Sequence, residues 1–179
     1  MKINTMLKSI LIFLGFGEAG DRTDNRLMGH EDNHMKLKPE IDKGFQIDCP
    51  KIFVPWDIDV NTLKELFRGQ RLDNIATGYY TTRCTLLGSL NCMLGFHFEP
   101  CLNGRLNELE FFRTDCDNQQ KSFNEFQRSF SHSFGQPTNK IKGNEGFYNY
   151  EWQINNIQIL HFVFDRFGPE ENLRIRKVR

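Results

Sequence analysis

The stretch from Leu94 to Phe112 restricts the fold more than any other, because two alternating apolar runs meet at Asn103-Gly104. An Asn-Gly pair supplies the two left-handed residues of a type I′ turn and is the strongest short-range hairpin signal. With those two residues as the loop, Leu102 pairs with Arg105, Phe98 with Leu109 and Phe96 with Phe111. That face is apolar and is expected to lie on a core. The opposite face carries His97 across from Glu110 and Glu99 across from Glu108. Like charges directly opposite one another destabilise a ladder. Three carboxylates around one imidazole on an open sheet face therefore read as a surface kept for a positively charged partner, with His97, Glu99, Glu108 and Glu110 as the partner-binding residues.

The remaining composition sets the class of protein. A chain of 179 residues suits one domain, able to bury about two-thirds of its unfolded surface without metals or disulfides. Its 17 phenylalanines supply the core. The 23 basic and 23 acidic residues balance, so the broad positive field of a nucleic-acid binder is missing. The basic run Arg174–Arg179 reads as a strand with one solvated face. Five cysteines without CxxC spacing speak against a disulfide framework or a structural zinc and for a reducing, cytoplasmic compartment. Ser9–Phe16, preceded by Lys2 and Lys8, has the outline of a signal peptide, but the run is short and Gly17-Glu18-Ala19 is a poor cleavage site. No segment approaches the length that spans a bilayer.

Residues 1–43 differ from the rest and form an N-terminal extension, a short apolar element followed by a polar loop. Residues 44–179 carry the punctuation of a single α+β domain. Short strands are expected at Gly44–Asp48 and Lys51–Pro55, and a helix capped by Asp59 or Asn61 runs to Phe67 and stops at Gly69. Ala76–Arg83 reads as one strand, and Cys84–Cys92 is ambiguous. Ser122 and Glu125 form a capping box for a helix over Phe123–Phe134, whose phenylalanines make one stripe that ends at Gly135. A second hairpin turns at Asn155-Asn156 and pairs Trp152 with Ile159, Tyr150 with His161 and Tyr148 with Val163. Its second strand is apolar at nearly every position, as in a strand covered on both faces. A last strand covers Leu173–Val178. The expected fold is a mostly antiparallel sheet of hairpins with two or three helices packed on one face, and the sequence shows no internal repeat.

Three literal motif matches lack their structural context. Gly15–Gly20 spells GxGxxG, but no apolar helix face follows it. His30-Glu31-Asp32-Asn33-His34 spells HExxH, which on a helix would place two imidazoles toward zinc, yet its flanks are polar. Asp57–Asn61 resembles the start of a calcium loop but has Thr62 and Arg68 where glycine and glutamate belong; helix capping accounts for it. His97 beside Glu110 has the parts of an oriented base, with no nucleophile placed nearby. A small hydrolase or metal enzyme using His30, Glu31 and His34, or a site at His97, is the alternative to a binding protein. An RNA-binding sheet using exposed Tyr and Phe is a third, disfavoured by the neutral charge.

Leu94–Phe98, Leu106–Phe112, Ser122–Phe126, Phe134-Gly135-Gln136-Pro137 and Tyr150-Glu151-Trp152 together resemble small bacterial immunity proteins, those encoded beside polymorphic toxins and in contact-dependent growth inhibition. The resemblance spans about residues 94–177 and implies a cytoplasmic inhibitor without catalytic residues, cofactor or metal. Its partner would be a cognate toxin domain, commonly a basic nuclease, and it would bind neither nucleic acid nor membrane itself. A cluster such as Glu99, Glu108 and Glu110 would complement a basic cleft. Pairing of a toxin hairpin with a free sheet edge is the other mode.

Overall fold

A computed structural model describes residues 40–99, 104–144, 146–165 and 169–178. Residues 1–39 of the N-terminal extension, including Ser9–Phe16, Gly15–Gly20 and His30–His34, lie outside the described residues, whereas Ile41 is buried and its carbonyl accepts the Trp56 indole N–H at 2.7 Å. The chain then runs through β1 (Gly44–Ile47), β2 (Ile52–Pro55), α1 (Val60–Leu66), β3 (Asp73–Ala76), β4 (Tyr79–Leu86), β5 (Leu90–Glu99) and β6 (Arg105–Arg113). The second half is α2 (Gln119–Phe134), β7 (Asn139–Lys142), β8 (Tyr148–Ile154), β9 (Ile157–Asp165) and β10 (Pro169–Lys177). This is an α+β chain whose strands are mostly in one antiparallel sheet.

β1 and β2 form their own hairpin, and the other strands make an eight-stranded sheet in the order β3-β4-β5-β6-β10-β9-β8-β7. Each half of that sheet is a four-strand meander preceded by a helix, and the last strands of the two meanders, β6 and β10, pair antiparallel at the centre. The architecture repeats where the sequence does not. Hairpin connections alone build each meander, and the crossover through α2 lets the second begin at the far edge.

Ring contacts fix the core. Phe67, at the end of α1, meets Phe96 edge-on with centroids 5.4 Å apart, and Phe45 of β1 meets Phe111 in the same way. On α2, Phe130 reaches both Phe111 and Trp152. The expected stripe Phe123, Phe126, Phe130 and Phe134 is buried along its length. Burying one such side chain stabilises by about 2 kcal/mol. The Trp152 indole N–H donates to the Gly135 carbonyl at 2.8 Å, which ties the end of α2 to β8.

Several local expectations change. Asn118, rather than Ser122, caps α2, and its side chain accepts the Lys121 amide at 2.8 Å. The helix gains a turn: Asn is as good a cap as Ser, and the Ser122 hydroxyl is engaged by Glu171 instead. Asp59 caps α1 through the Thr62 amide, as its spacing implied. Ala76–Arg83 is two strands broken at Gly78, whose φ of 74° suits a turn. Cys84–Cys92 resolves into the end of β4, a turn through Gly88 and the start of β5. The Asn155-Asn156 hairpin keeps its register, with Trp152 opposite Ile159 and Tyr150 opposite His161.

The first hairpin does not keep its register. Glu99 pairs with Arg105, Phe98 with Leu106, His97 with Glu108, Phe96 with Leu109 and Leu94 with Phe111. Arg105 therefore faces Glu99, not Leu102, and the like-charge pair Glu99–Glu108 does not form. The described ladder closes at Glu99–Arg105. A register shift between His97 and Phe98 leaves Asn107 as the extra residue of a bulge, which keeps Leu106 and Leu109 both on the core.

β9 is also unlike its expectation. It lies inside the sheet between β10 and β8, but its apolar run is covered on one side only. Ile157, Ile159 and Val163 are buried, whereas Leu160 and Phe162 are partly exposed and Phe164 is 47% exposed.

Candidate functional site

The sheet side away from Phe96 and Phe111 is the open face. Strand alternation brings Tyr79 and Thr81 of β4, Gly95 and His97 of β5, Glu108 and Glu110 of β6, and Arg174 of β10 together there. Gly95 makes room: a Cβ at that position would stand 2.7 Å from the Tyr79 ring. The ring uses that space to stack on His97, with centroids 4.4 Å apart.

Glu110 is the hub. His97 Nε2 lies 2.9 Å from Oε2, and the Tyr79 hydroxyl donates to the same oxygen at 3.3 Å. Arg174 bridges two carboxylates, donating from Nη2 to Glu110 Oε1 at 2.7 Å and from Nη1 to Glu108 Oε1 at 3.0 Å. Glu110 is only 7% exposed. Burial pushes its carboxyl pKa up, but the bond from His97, the Arg174 charge and the Tyr79 hydroxyl together hold it below the ordinary glutamate value. Burial and the neighbouring carboxylate push the Tyr79 phenol up to about 12.

The four partner-binding candidates therefore occupy different situations. His97 and Glu110 meet, although on a diagonal and not opposite one another. Glu108 joins them through Arg174. Glu99 stands at the end of the strand, exposed and opposite Arg105. The expected cluster of acids awaiting a foreign cation is in large part neutralised by Arg174, a residue read in the sequence only as part of a solvated basic strand. Its position opposite Glu110 follows from β10 crossing the molecule to pair with β6, which no local signal encodes. His97 is oriented by Glu110, and the hydroxyls named on this face are those of Tyr79, which donates to Glu110, and Thr81.

A second polar network sits beneath α2. His161 is wholly buried, stacked on Phe123 at 4.1 Å. Its Nδ1 lies 2.6 Å from Gln127 Nε2 and its Nε2 lies 2.7 Å from Glu171 Oε1. The Ser122 hydroxyl donates to Glu171 Oε2 at 2.6 Å. Desolvation lowers the His161 pKa against the pull of Glu171, so the ring is held neutral. With one nitrogen donating and the other accepting, it has no lone pair left for catalysis. Ser122, expected as a helix cap, instead ties α2 to β10. The expected pairing of His161 with Tyr150 holds as strand register, while its polar partners are Gln127 and Glu171.

Toward the β7 end the open face becomes apolar. Ile141, Leu160, Phe162 and Phe164, with Asn139, Asn149 and Glu151, line an open hollow of about 380 Å³. Contiguous exposed apolar surface of this kind marks interaction sites. The run in β9 that suggested two-sided burial is the signal that could have located it.

Cys84 and Cys92 are free thiols opposite one another on β4 and β5, each pushed up to about 12 by burial. Among the described residues, no group of three or more His, Cys, Asp or Glu side chains could hold a metal ion, and no helix is long and apolar enough to cross a membrane.

No family model and no curated protein matches the sequence. Among solved structures, the chain is similar to YjgB, a DUF4309 family protein from Bacillus subtilis subsp. subtilis str. 168. The identity is 11% and the TM-score 0.41, covering 79% of this chain and 93% of that one.

Proposed function

We propose that the protein is an inhibitor, not an enzyme: an immunity protein that binds a cognate bacterial toxin domain, a basic nuclease in the reading favoured here, and blocks its active site or substrate surface. The observation that carries this is the open face of the sheet, with a fixed polar network at its centre and an apolar hollow at one end. The likeness of residues 94–177 to immunity proteins supports the same reading. Tyr79, His97, Glu108, Glu110 and Arg174 already hold one another, so little side-chain ordering is left to oppose association. Two carboxylates and one guanidinium leave one net negative charge, and Glu99 stands at the strand end opposite Arg105. Charge then serves mainly steering and register, while the hollow supplies the burial.

The test uses the toxin domain of the effector encoded immediately upstream, where an immunity gene belongs. Co-expression should rescue growth, and calorimetry should detect a complex. Replacing Glu99 and Glu108 together by Gln should slow association about tenfold at low salt, measured well below the melting temperature because the Glu108 change also takes one partner from Arg174. No complex and no rescue would refute the proposal. The competing reading, a His97-centred or HExxH hydrolase, has one observation in its favour, the 2.9 Å His97–Glu110 contact. Stoichiometric zinc in protein purified without added metal, with hydrolytic activity lost in His97→Gln, would favour it instead.

A further inference from the structure

We infer that β7 is the edge at which a partner strand adds to this sheet, and that it selects an extended segment alternating acidic and apolar residues. The identity of the partner as a toxin rests on the inhibitor reading; the edge and its chemistry do not.

The sheet has two terminal strands, β3 and β7. They occupy equivalent places in the two meanders but are not equivalent surfaces. The pairing of β3 with β4 shifts register between Asn74 and Ala76, and Asp73 is held by Arg71. A bulge of that kind twists an edge away from further pairing. β7 pairs with β8 in unbroken register, Asn139 with Glu151 through Lys142 with Tyr148, and all four of its residues are exposed.

The direction of its free backbone groups follows from alternation. The Gly143 amide donates to the Phe147 carbonyl, and the Gln153 amide turns toward the β7 side to reach Thr138 Oγ1. Residues 139, 141 and 143 therefore spend their amides on β8, which leaves the N–H and C=O of Lys140 and Lys142 pointing outward. Among the described residues no strand takes them.

Side chains set the selectivity. Lys140 and Lys142 lie on the helix side of the sheet, where Lys140 Nζ stands 4.2 Å from the centre of the Tyr148 ring. Ile141, 54% exposed, lies on the open side at the rim of the hollow formed with Leu160, Phe162 and Phe164. A strand laid along β7 places the residues opposite Lys140 and Lys142 beside two cations and the residue between them against Ile141. Glu-apolar-Glu fits, and Lys-apolar-Lys does not. Edge lysines ordinarily keep identical chains from pairing edge to edge; the same two charges admit an acidic strand.

The probe is an acetylated, amidated peptide with the core Val-Glu-Val-Glu-Val, set against Val-Lys-Val-Lys-Val, each titrated into the full-length ¹⁵N-labelled protein. The glutamate peptide should shift the Lys140 and Lys142 amides and slow their hydrogen exchange. It should bind at least tenfold more tightly than the lysine peptide. The double variant Lys140→Glu, Lys142→Glu, with an unchanged circular dichroism spectrum, should invert that preference. Shifts confined to β3, equal binding of both peptides, or no binding at millimolar peptide would each overturn the assignment. Peptide capture by β7 without toxin neutralisation would sink the inhibitor reading alone. Neutralisation that survives the double lysine reversal would remove the edge alone.

Discussion

Arg174 is the residue on which the centre of the open face depends. It holds Glu110, which is nearly buried, and Glu108, which is partly so, with two of its nitrogens. Removing one partner of such a group leaves a desolvated charge uncompensated, a larger penalty than losing an exposed pair. Arg174→Met should therefore destabilise the protein by about 2–3 kcal/mol, between the exposed and buried limits. Adding Glu110→Gln to that variant should restore part of the loss. Urea denaturation of the two variants measures both, and additive losses would contradict the coupling. By the same geometry, Glu110→Lys would place an ammonium beside the Arg174 guanidinium and cost stability. The residue types around His97 were legible, but their partner was not. It comes from a strand 64 residues further on.

At the scale of elements, the N-terminal end of α2 illustrates how a local rule can name the right kind of bond and the wrong position. Ser122 with Glu125 satisfies the spacing of a capping box, yet Asn118 closes the helix and Ser122 binds Glu171. Glu125 is drawn instead to Arg113 at 2.7 Å. Asn118→Ala should cost about 1 kcal/mol and fray the first turn, seen as faster amide exchange at Lys121. Ser122→Ala should leave that turn intact and perturb His161 and Glu171, visible in the imidazole nitrogen shifts. Fraying in the second variant and not the first would reverse the assignment. The hairpins follow the same pattern. Asn155-Asn156 fixed its own register, with Asn155 at φ 53°, because nothing nearby interrupts the ladder. Asn103-Gly104 did not: the described ladder closes at Glu99–Arg105, and the bulge at Asn107 shifts it by one residue.

At the scale of the whole molecule, two buried polar networks couple stability to pH in the same direction. The unfolded chain takes up the His161 proton at a higher pH than the folded one, since desolvation lowers the folded value below 6.5. Between those values acid therefore favours unfolding, and stability from this group is full only above about pH 6.5. Glu110 is lowered below 4.5 despite its burial, so its contribution is present above that pH and is lost as pH falls through the folded value. Urea midpoints should thus decline as pH falls below about 6.5 and again below about 4.5, and Glu110→Gln should flatten the second decline and spare the first. A midpoint rising with acid would contradict both assignments. The sequence by itself determined the element types, the aromatic stripe of α2, the caps and turns whose signals are local, and an α+β class with an antiparallel sheet. These depend on periodicity and on residues a few positions apart. Only the tertiary structure decided that the sheet is two meanders joined through β6 and β10, that Arg174 answers the acids of the first hairpin, and that β9 leaves one apolar face uncovered. Strand order is settled by burial summed over distant segments, and a run of apolar residues reads the same whether one side or both are finally covered.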